Sequence, residues 1–274
     1  MTIMRKPALL VVVVLMAAVS LSACGDKDRE TSASPGPTPR ISKASADLTQ
    51  ASFMSVVTQA QRKAGTSHVV MALGIGGQRL KADGDLKIGS GAEDTAMSLK
   101  IDMGSAVEGF EMRLVNRIFY LDAGPMTQGK FVKIDLTDES SPLGQQFGPM
   151  LGQLDPATQL EQLNEAMTSF GKTGNTERID GVDAQPYEIV VDTAKIALFA
   201  DLPGRAAASI PERLTFTMFV GPDDLPRRIV ADVMGSIVTV NFSRWGDDVD
   251  IRVPSSGELS DRDPSTFMGG VLAG

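Results

Sequence analysis

The chain has 274 residues, of which 42% are hydrophobic, and it carries a formal net charge of −8 at pH 7. That length and composition are enough for one sizeable hydrophobic core or two small ones. An acidic protein lacks the clustered Lys and Arg that phosphate binding needs, so nucleic acid is excluded as a partner. Charge alone would not hold the protein on anionic lipid headgroups, and any membrane attachment must therefore be covalent or inserted.

Residues that could carry reactive chemistry are few, because the chain has one cysteine, Cys24, and one histidine, His68. No disulfide can form within the chain, and a zinc site built from Cys and His is excluded by count. Catalytic Ser-His-Asp and Cys-His arrangements are excluded too, unless His68 serves in one. We therefore expect no enzymatic activity, no metal site and no cofactor.

The start of the chain has the composition of a secretory signal. Arg5 and Lys6 precede an unbroken apolar run at 8–19, which is shorter than the roughly 20 residues of a membrane span. Leu21-Ser22-Ala23 then precedes Cys24, and this order resembles the lipobox of bacterial lipoproteins. The resemblance implies cleavage before the cysteine, acyl chains on its sulfur, and an anchor on the extracytoplasmic face of the cell membrane. An uncleaved anchor with a chance cysteine is the alternative.

Composition divides the chain into four segments. Residues 1–23 are the predicted lipoprotein signal peptide. Residues 24–46 are the lipidated cysteine and a disordered tether, rich in Ser, Thr, Pro, Gly and charged residues. Residues 47–254 are expected to fold as one domain, and 255–274 form a flexible tail rich in Ser, Asp, Pro and Gly.

The folded domain is predicted to begin with an amphipathic helix that Gly65 ends. Its apolar residues fall at i, i+3, i+4, i+7 and i+11, which are Phe53, Val56, Val57, Ala60 and Ala64. The period then changes to two, which predicts strands on either side of a Gly76-Gly77 hairpin turn. The strands predicted between this first helix and the middle of the chain are 69–75, 78–88, 97–103, 110–114, 118–121 and 131–136.

A second helix is predicted in the middle of the chain, with Asp155 as N-cap, Pro156 at its first position and Gly171 as its end. Its apolar face consists of Leu160, Leu163, Met167 and Phe170. Asp192 is predicted to cap a short helix that runs through Ala200. The remaining predicted strands are 187–191, 213–220, 227–234 and 236–244.

About ten strands in short hairpins, with two main helices, predict an α+β fold built on an antiparallel sheet. Several of the strands are apolar on both faces. In 213–220, for example, Leu214, Phe216 and Met218 point one way and Phe219 points the other. A sheet with one face in water should alternate more cleanly, so we expect this sheet to be covered by helices or curled around them.

This order of elements resembles the LppX/LprG lipoproteins of actinobacteria, which are similar in fold to the LolA lipoprotein carriers. Short stretches that resemble the family are Lys63-Ala64-Gly65-Thr66-Ser67, Gly181-Val182-Asp183, the strand from Tyr187 to Asp192, and Leu225-Pro226. The resemblance covers about residues 47–254 and includes no catalytic signature. It implies a curved antiparallel half-barrel wrapped around two to three helices, with an apolar cavity between them. It also implies that the protein binds or carries lipids or lipoglycans at the cell envelope.

The candidate ligand-binding residues are apolar side chains of the predicted inner rows, many of them methionines, which are flexible and polarizable and recur at adaptable binding surfaces. They are Met97, Leu99, Ile101, Met103, Phe110, Met112, Leu114, Leu214, Phe216 and Met218. They would form a passive wall for an apolar ligand, whose polar headgroup would meet His68 or nearby charges at the rim. The alternative is plain core packing, in a non-catalytic structural or protein-docking lipoprotein.

Other motif matches do not support an activity. Ser169-Phe170-Gly171-Lys172 and Lys172-Thr173-Gly174 match motifs of penicillin-recognising enzymes, but they share one lysine where those enzymes use two. The acidic clusters at 83–85 and 247–250 lack the ligand spacing of an EF-hand, and we expect turns there. An enzyme would need a carboxylate-only site such as glycosidases use, and one Trp and two Tyr offer few sugar platforms.

Overall fold

A computed structural model of the chain describes residues 48–75, 78–91, 93–104, 109–138, 140, 162–196, 210–233 and 235–261. These residues form a 12-stranded antiparallel sheet that is curved and unclosed, together with the long helix α1 (Gln50–Ala64). The predicted α+β fold with a curved half-barrel sheet is therefore confirmed. The predicted signal peptide, Cys24 and the whole predicted tether lie outside the described residues.

The strands follow one another along the chain in two antiparallel series, which meet where β1 pairs with β12. The order across the sheet is β6-β5-β4-β3-β2-β1-β12-β11-β10-β9-β7, with β8 beside β9. Within the described chain, the two outermost strands β6 and β7 do not pair with each other. The strands are β1 (Thr66–Ile75), β2 (Gln78–Lys87), β3 (Ala96–Asp102), β4 (Phe110–Val115), β5 (Ile118–Asp122), β6 (Val132–Asp135), β7 (Met167–Lys172), β8 (Glu177–Ile179), β9 (Val182–Asp192), β10 (Arg213–Val220), β11 (Pro226–Val233) and β12 (Ser236–Ser243).

Local sequence accounts for both ends of α1. At its start the Thr49 N–H donates a hydrogen bond to Ser52 Oγ, over 3.1 Å. At its end Gly65 adopts the left-handed conformation with φ 78°, and its N–H donates to the carbonyl oxygen of Gln61. The helix turns a somewhat different face inward than its apolar spacing predicts. Its buried residues are Phe53, Met54, Val57, Thr58 and Gln61, while Val56, Ala60 and Ala64 are half-buried.

Two-residue turns set the register of three hairpins. The β1–β2 hairpin pairs Ile75 with Gln78, as the Gly76-Gly77 signal predicts. Asn116 and Arg117, both with positive φ, join β4 to β5, which is the geometry of a type I′ turn. Asp180 and Gly181 join β8 to β9 in the same way.

The predicted second helix is wrong over its last part. Residues 162–166 are helical, but Met167–Lys172 is strand β7, which pairs with β9, and residues 155–161 lie outside the described chain. A register shift between Met167 and Ser169 explains the misleading spacing. An extra residue in a strand lets Met167 and Phe170, three apart, lie opposite Val191 and Ile189 on one face, which imitates a helical period.

Three smaller features also differ from the sequence prediction. Asp83-Gly84-Asp85 is not a turn, because it lies within β2. Strand β8 has no counterpart among the predicted elements. After Asp192, whose side chain accepts a hydrogen bond from the Ala194 N–H, the described helix is a short 3-10 turn at Thr193–Lys195, and residues 197–200 lie outside the described chain.

Part of the predicted tail contacts the sheet edge. The Phe131 N–H donates to the Glu258 carbonyl oxygen and the Ser260 N–H donates to the Phe131 carbonyl oxygen, both over 2.8 Å. Nearby, the Arg113 guanidinium lies 4.5 Å from the centre of the Phe131 ring and donates to the Arg252 carbonyl oxygen. This stretch therefore extends the ordered contacts of the domain beyond residue 254.

Candidate functional site

The strand register places nine of the ten predicted ligand-binding residues on one face of the sheet, here called the inner face. Directly opposite residues in antiparallel strands project to the same side, so each chain of cross-strand pairs is a row on one face. One row crosses eight strands through Tyr187, Met218, Ile229, Val240, Met71, Ala82, Ile101 and Phe110. A second runs through Val69, Gly84, Leu99, Met112, Leu121 and Val132.

Two further inner-face rows contain or adjoin the other predicted ligand-binding residues that lie within strands. One runs through Ser67, Leu86, Met97, Leu114, Phe119 and Ile134. The other runs through Ile189, Phe216, Ala231, Val238, Leu73 and Leu80, while Leu214 pairs with Val191 beside it. Met103 follows the last residue of β3, so the pairing pattern does not assign it to a row.

The half of the inner face formed by β7 and β9–β12 is filled. Leu214, Phe216 and Met218 belong to a large buried cluster with residues of α1, and their exposed fractions are 4%, 8% and 2%. Aromatic contacts close this half beneath the helix, because the Phe53 ring lies 4.7 Å from that of Phe170 and 5.2 Å from that of Tyr187. These three predicted ligand-binding residues are therefore core residues of the structure.

The other half of the inner face, on β3–β6, is packed less completely. A second, smaller buried cluster there consists of Leu114, Ile134 and Leu136, with Met97 and Phe119 packed against it. Between the two clusters lie the half-buried side chains of Phe110, Met112 and Leu121. Neither cluster includes these three residues within the described chain. We call Phe110, Met112 and Leu121 the gap surface.

Ile101 and Met97 flank the gap surface, the former packing on the large cluster and the latter on the small one. Both are half-buried, while Leu99 on the same strand is only 1% exposed. Four of the predicted residues, Met97, Ile101, Phe110 and Met112, thus line one continuous, half-buried apolar surface or its rim. Sequence reasoning missed Leu121, although its alternation with Phe119 along β5 was a usable signal.

The opposite, outer face is polar and holds the chain's histidine. His68 Nδ1 lies 2.8 Å from Asp85 Oδ1, and its Nε2 lies 3.5 Å from Asp83 Oδ1. A hydrogen bond from the Lys81 ammonium lowers the pKa of Asp83, against a smaller opposing effect of burial. His68 pairs in register between the inward-facing Ser67 and Val69, so it points away from the gap surface, contrary to the rim position expected for it.

Apolar residues on the outer face are scattered, so the expectation of two apolar faces is only partly met. Phe219 is half-buried beneath the Arg228 guanidinium, which lies 5.6 Å from the ring centre. That guanidinium also pairs with Glu177 Oε1 at 2.6 Å and with Asn241 Oδ1 at 3.1 Å. The surplus of apolar residues seen in the sequence therefore belongs mainly to the inner face of a curled sheet.

Chemistry beyond apolar contact has little support at this surface. The described residues include no group of three His, Cys, Asp or Glu side chains arranged to hold a metal ion. Polar atoms do occur at one end of the inner face, where Thr58, Gln61 and Ser67 are buried. These three residues were not predicted as site residues, because the helical face drawn through the apolar residues of α1 leaves Thr58 and Gln61 out.

The fold resembles that of two solved mycobacterial lipoproteins. The chain resembles the Mycobacterium tuberculosis lipoprotein LppX, with a TM-score of 0.52 and 14% identity, over 76% of this chain and 100% of that one. It resembles LprF from Mycobacterium bovis with a TM-score of 0.51 and 17% identity, over 76% of this chain and 97% of that one. The predicted resemblance to the LppX/LprG lipoproteins is thus confirmed for the fold.

Comparison by sequence adds nothing to this likeness, since no family model and no curated protein matches the chain. Over the part of the chain that the structure describes, no helix is both long enough and apolar enough to cross a membrane.

Proposed function

We propose that this protein is a lipoprotein of the cell envelope, anchored through acyl chains on Cys24, that binds or carries an apolar ligand, a lipid or lipoglycan. The observation that carries the proposal is the gap surface, a half-buried apolar stretch of a packed sheet face that lies between the two buried clusters of the described residues. Removing apolar surface from water stabilises a complex by about 25 cal/mol per Å², so covering 100 Å² is worth about 2.5 kcal/mol. The likeness in fold to a lipoprotein supports the same function.

The gap surface would bind its ligand by apolar contact alone, without catalysis. Dispersion contacts are not directional, and a surface built from Phe110, Met112 and Leu121 can adapt to chains of different length. The buried residues of β9–β12 would serve as the rigid support on which this adaptable half of the sheet is mounted. Leu99 and Leu114, which are buried on β3 and β4, would support the half-buried Met97, Ile101, Phe110 and Met112 in the same way.

Native mass spectrometry tests ligand binding. The full chain with Cys24→Ser, which removes its own acyl chains, would be purified from its host and sprayed without denaturation. We expect a co-purifying apolar molecule that is lost in Met112→Gln, with the fold intact by circular dichroism. Val115→Gln is the matched control, since Val115 is also half-buried and lies on β4, but on the outer face.

A ligand-free mass, together with no uptake of fluorescent fatty-acyl probes by the same protein, would overturn the binding function. The filled half of the sheet would then favour the second candidate, a non-catalytic structural or protein-docking lipoprotein. That candidate draws its support from Leu214, Phe216 and Met218, which are packed as in an ordinary core.

The anchor is tested separately by intact-mass measurement on protein extracted from membranes. Each buried methylene of an acyl chain contributes about 0.8 kcal/mol, so two or more chains give a durable anchor. We expect Cys24 to carry these chains, and Cys24→Ala to release the protein or leave it unprocessed. An unmodified Cys24 in membrane-extracted protein would contradict the proposal.

A further inference from the structure

Three buried oxygen atoms at the junction of α1 and β1 have no hydrogen-bond partner within the described chain. They are Thr58 Oγ1, Gln61 Oε1 and Ser67 Oγ, on residues that are 5%, 2% and 0% exposed. A buried polar atom without a partner carries a desolvation cost that nothing offsets, so native structures keep few of them and mostly for a reason. Three in one region call for a partner that the described residues do not supply.

Chain geometry places these three residues next to one another. Thr58 and Gln61 are three residues apart, which puts them on one face of the helix, about 5–6 Å apart. The chain reverses at Gly65, so Gln61 lies about 6 Å back along the helix and Ser67 about 7 Å forward along the strand. Residues of α1 and of the inner face of β1 share one buried cluster, and Ser67 is the fully buried inner-face residue two positions before Val69, the first member of that cluster on β1.

Ser67 is also the first member of the inner-face row that continues through Leu86, Met97, Leu114 and Phe119. Neighbouring strands are about 4.8 Å apart, so this row extends about 19 Å across the sheet from β1 to β5. It runs beside the gap surface, whose Met112 and Leu121 are on the same strands as Leu114 and Phe119. The row thus begins at the uncharged polar side chain of Ser67 and continues as a line of apolar side chains.

We propose that Thr58, Gln61 and Ser67 form a polar subsite for the neutral head of an acylated polyol, a lipid with an ester carbonyl and an unesterified hydroxyl. This inference rests on the proposed lipid-binding function. The two hydroxyl groups donate to the ester carbonyl, and Gln61 Oε1 accepts from the ligand hydroxyl. The acyl chain extends from this end of the inner face across the sheet to the gap surface, beside the packed row from Leu86 to Phe119. Since the three oxygens are fully enclosed, the ligand reaches them when the last turns of α1 move off β1.

Displacement of a fluorescent alkyl probe from the full Cys24→Ser chain separates the contributions of the ligand's hydroxyl, ester carbonyl and alkyl chain to affinity. The competitors share one chain length: 1-monopalmitoylglycerol, methyl palmitate, which lacks the hydroxyl donor, and hexadecane, which has no polar atom. Each neutral hydrogen bond is worth about a few-fold to tenfold in affinity. We expect Gln61→Leu to weaken only monopalmitoylglycerol, Thr58→Val to weaken both esters, and hexadecane to bind all variants equally.

Thr239→Val is the matched control, a hydroxyl removed from a half-buried residue of β12 on the outer face, and should leave all three affinities unchanged. Thermal unfolding gives a second readout, because replacing an unpaired buried oxygen with an apolar atom should keep or raise the melting temperature. Equal affinities for the three competitors in the wild-type and variant proteins would overturn the subsite alone, as would a marked fall in melting temperature in Thr58→Val and Gln61→Leu. Failure of all three competitors to displace the probe would instead overturn the proposed function, and the subsite with it.

Discussion

Gly84 lies where the backbones of strands β2 and β3 approach each other closely, and Gly84→Ala tests how that contact shapes the sheet. Gly84 pairs with Leu99 in the inner-face row that leads to Met112. A methyl group at this position would lie 1.9 Å from the Ser98 carbonyl oxygen and 2.9 Å from Leu99 Cα. Glycine inside a strand often marks such a close approach of two backbones.

The expected loss of stability is large, because both obstructing atoms belong to the backbone and cannot rotate away. Inserting a methyl group into a well-packed region typically costs about 1–3 kcal/mol. We expect about 3 kcal/mol here, since relief requires β2 and β3 to separate. For a domain of this size each kcal/mol lowers the melting temperature by about 2–4 °C, which gives a decrease of about 6–12 °C.

Urea and thermal unfolding of the full Cys24→Ser chain would measure this loss. Gly74→Ala is the matched control, because Gly74 is an exposed glycine of β1 whose added methyl group would meet nothing within 4 Å. We expect the control to change the free energy of unfolding by less than about 0.5 kcal/mol. A Gly84→Ala protein as stable as that control would refute the argument that strand contact at Gly84 fixes the local shape.

Three further predictions concern the packed half of the sheet and its outer face. Phe53→Ala should lower the free energy of unfolding by about 3–5 kcal/mol, since Phe53 is fully buried against two aromatic rings; a loss below 1 kcal/mol in urea would contradict the core assignment. Asp192→Ala should cost about 1 kcal/mol, because its carboxylate caps the Ala194 N–H, and Asp192→Asn should retain most of that stability. The lowered folded-state pKa of Asp83 stabilises the protein fully above its unfolded pKa near 4, and this contribution is lost as the pH falls through the folded value. If the free energy of unfolding is measured as the pH is lowered, it should therefore fall less steeply in Lys81→Met than in the wild-type protein. An unchanged pH profile would show that Lys81 is not the main cause of the lowered Asp83 pKa.

Much of the fold could be predicted from the sequence because hairpin signals and strand alternation are local. Strand β10 has the bounds that its pattern predicts, and Ile75 pairs with Gln78 where the sequence predicts a hairpin. Helix α1 ends at Gly65 because glycine alone adopts its left-handed conformation without strain. These features depend on residues within a few positions of one another, so the sequence contains the information needed to predict them.

Long-range pairing decided the features that the sequence predicted wrongly. Met167 and Phe170 have helical spacing, but an edge of β9 was available to pair with, and a bulge in β7 let both side chains face the core. The division of the inner face has the same origin. Met112 and Met218 have the same strand pattern, yet Met218 lies in the cluster with α1 whereas Met112 lies between two clusters.

What the sequence determined by itself is the class of chemistry available: one histidine, one cysteine, and a large set of apolar residues at alternate strand positions. Only the tertiary structure decided which of those apolar residues are core and which remain half-buried. The physical reason is that a core and a binding surface use the same side chains, and they differ only in what the rest of the chain places over them. The oxygens of Thr58, Gln61 and Ser67, which have no partner among the described residues, are likewise a consequence of tertiary packing, because only packing buries them.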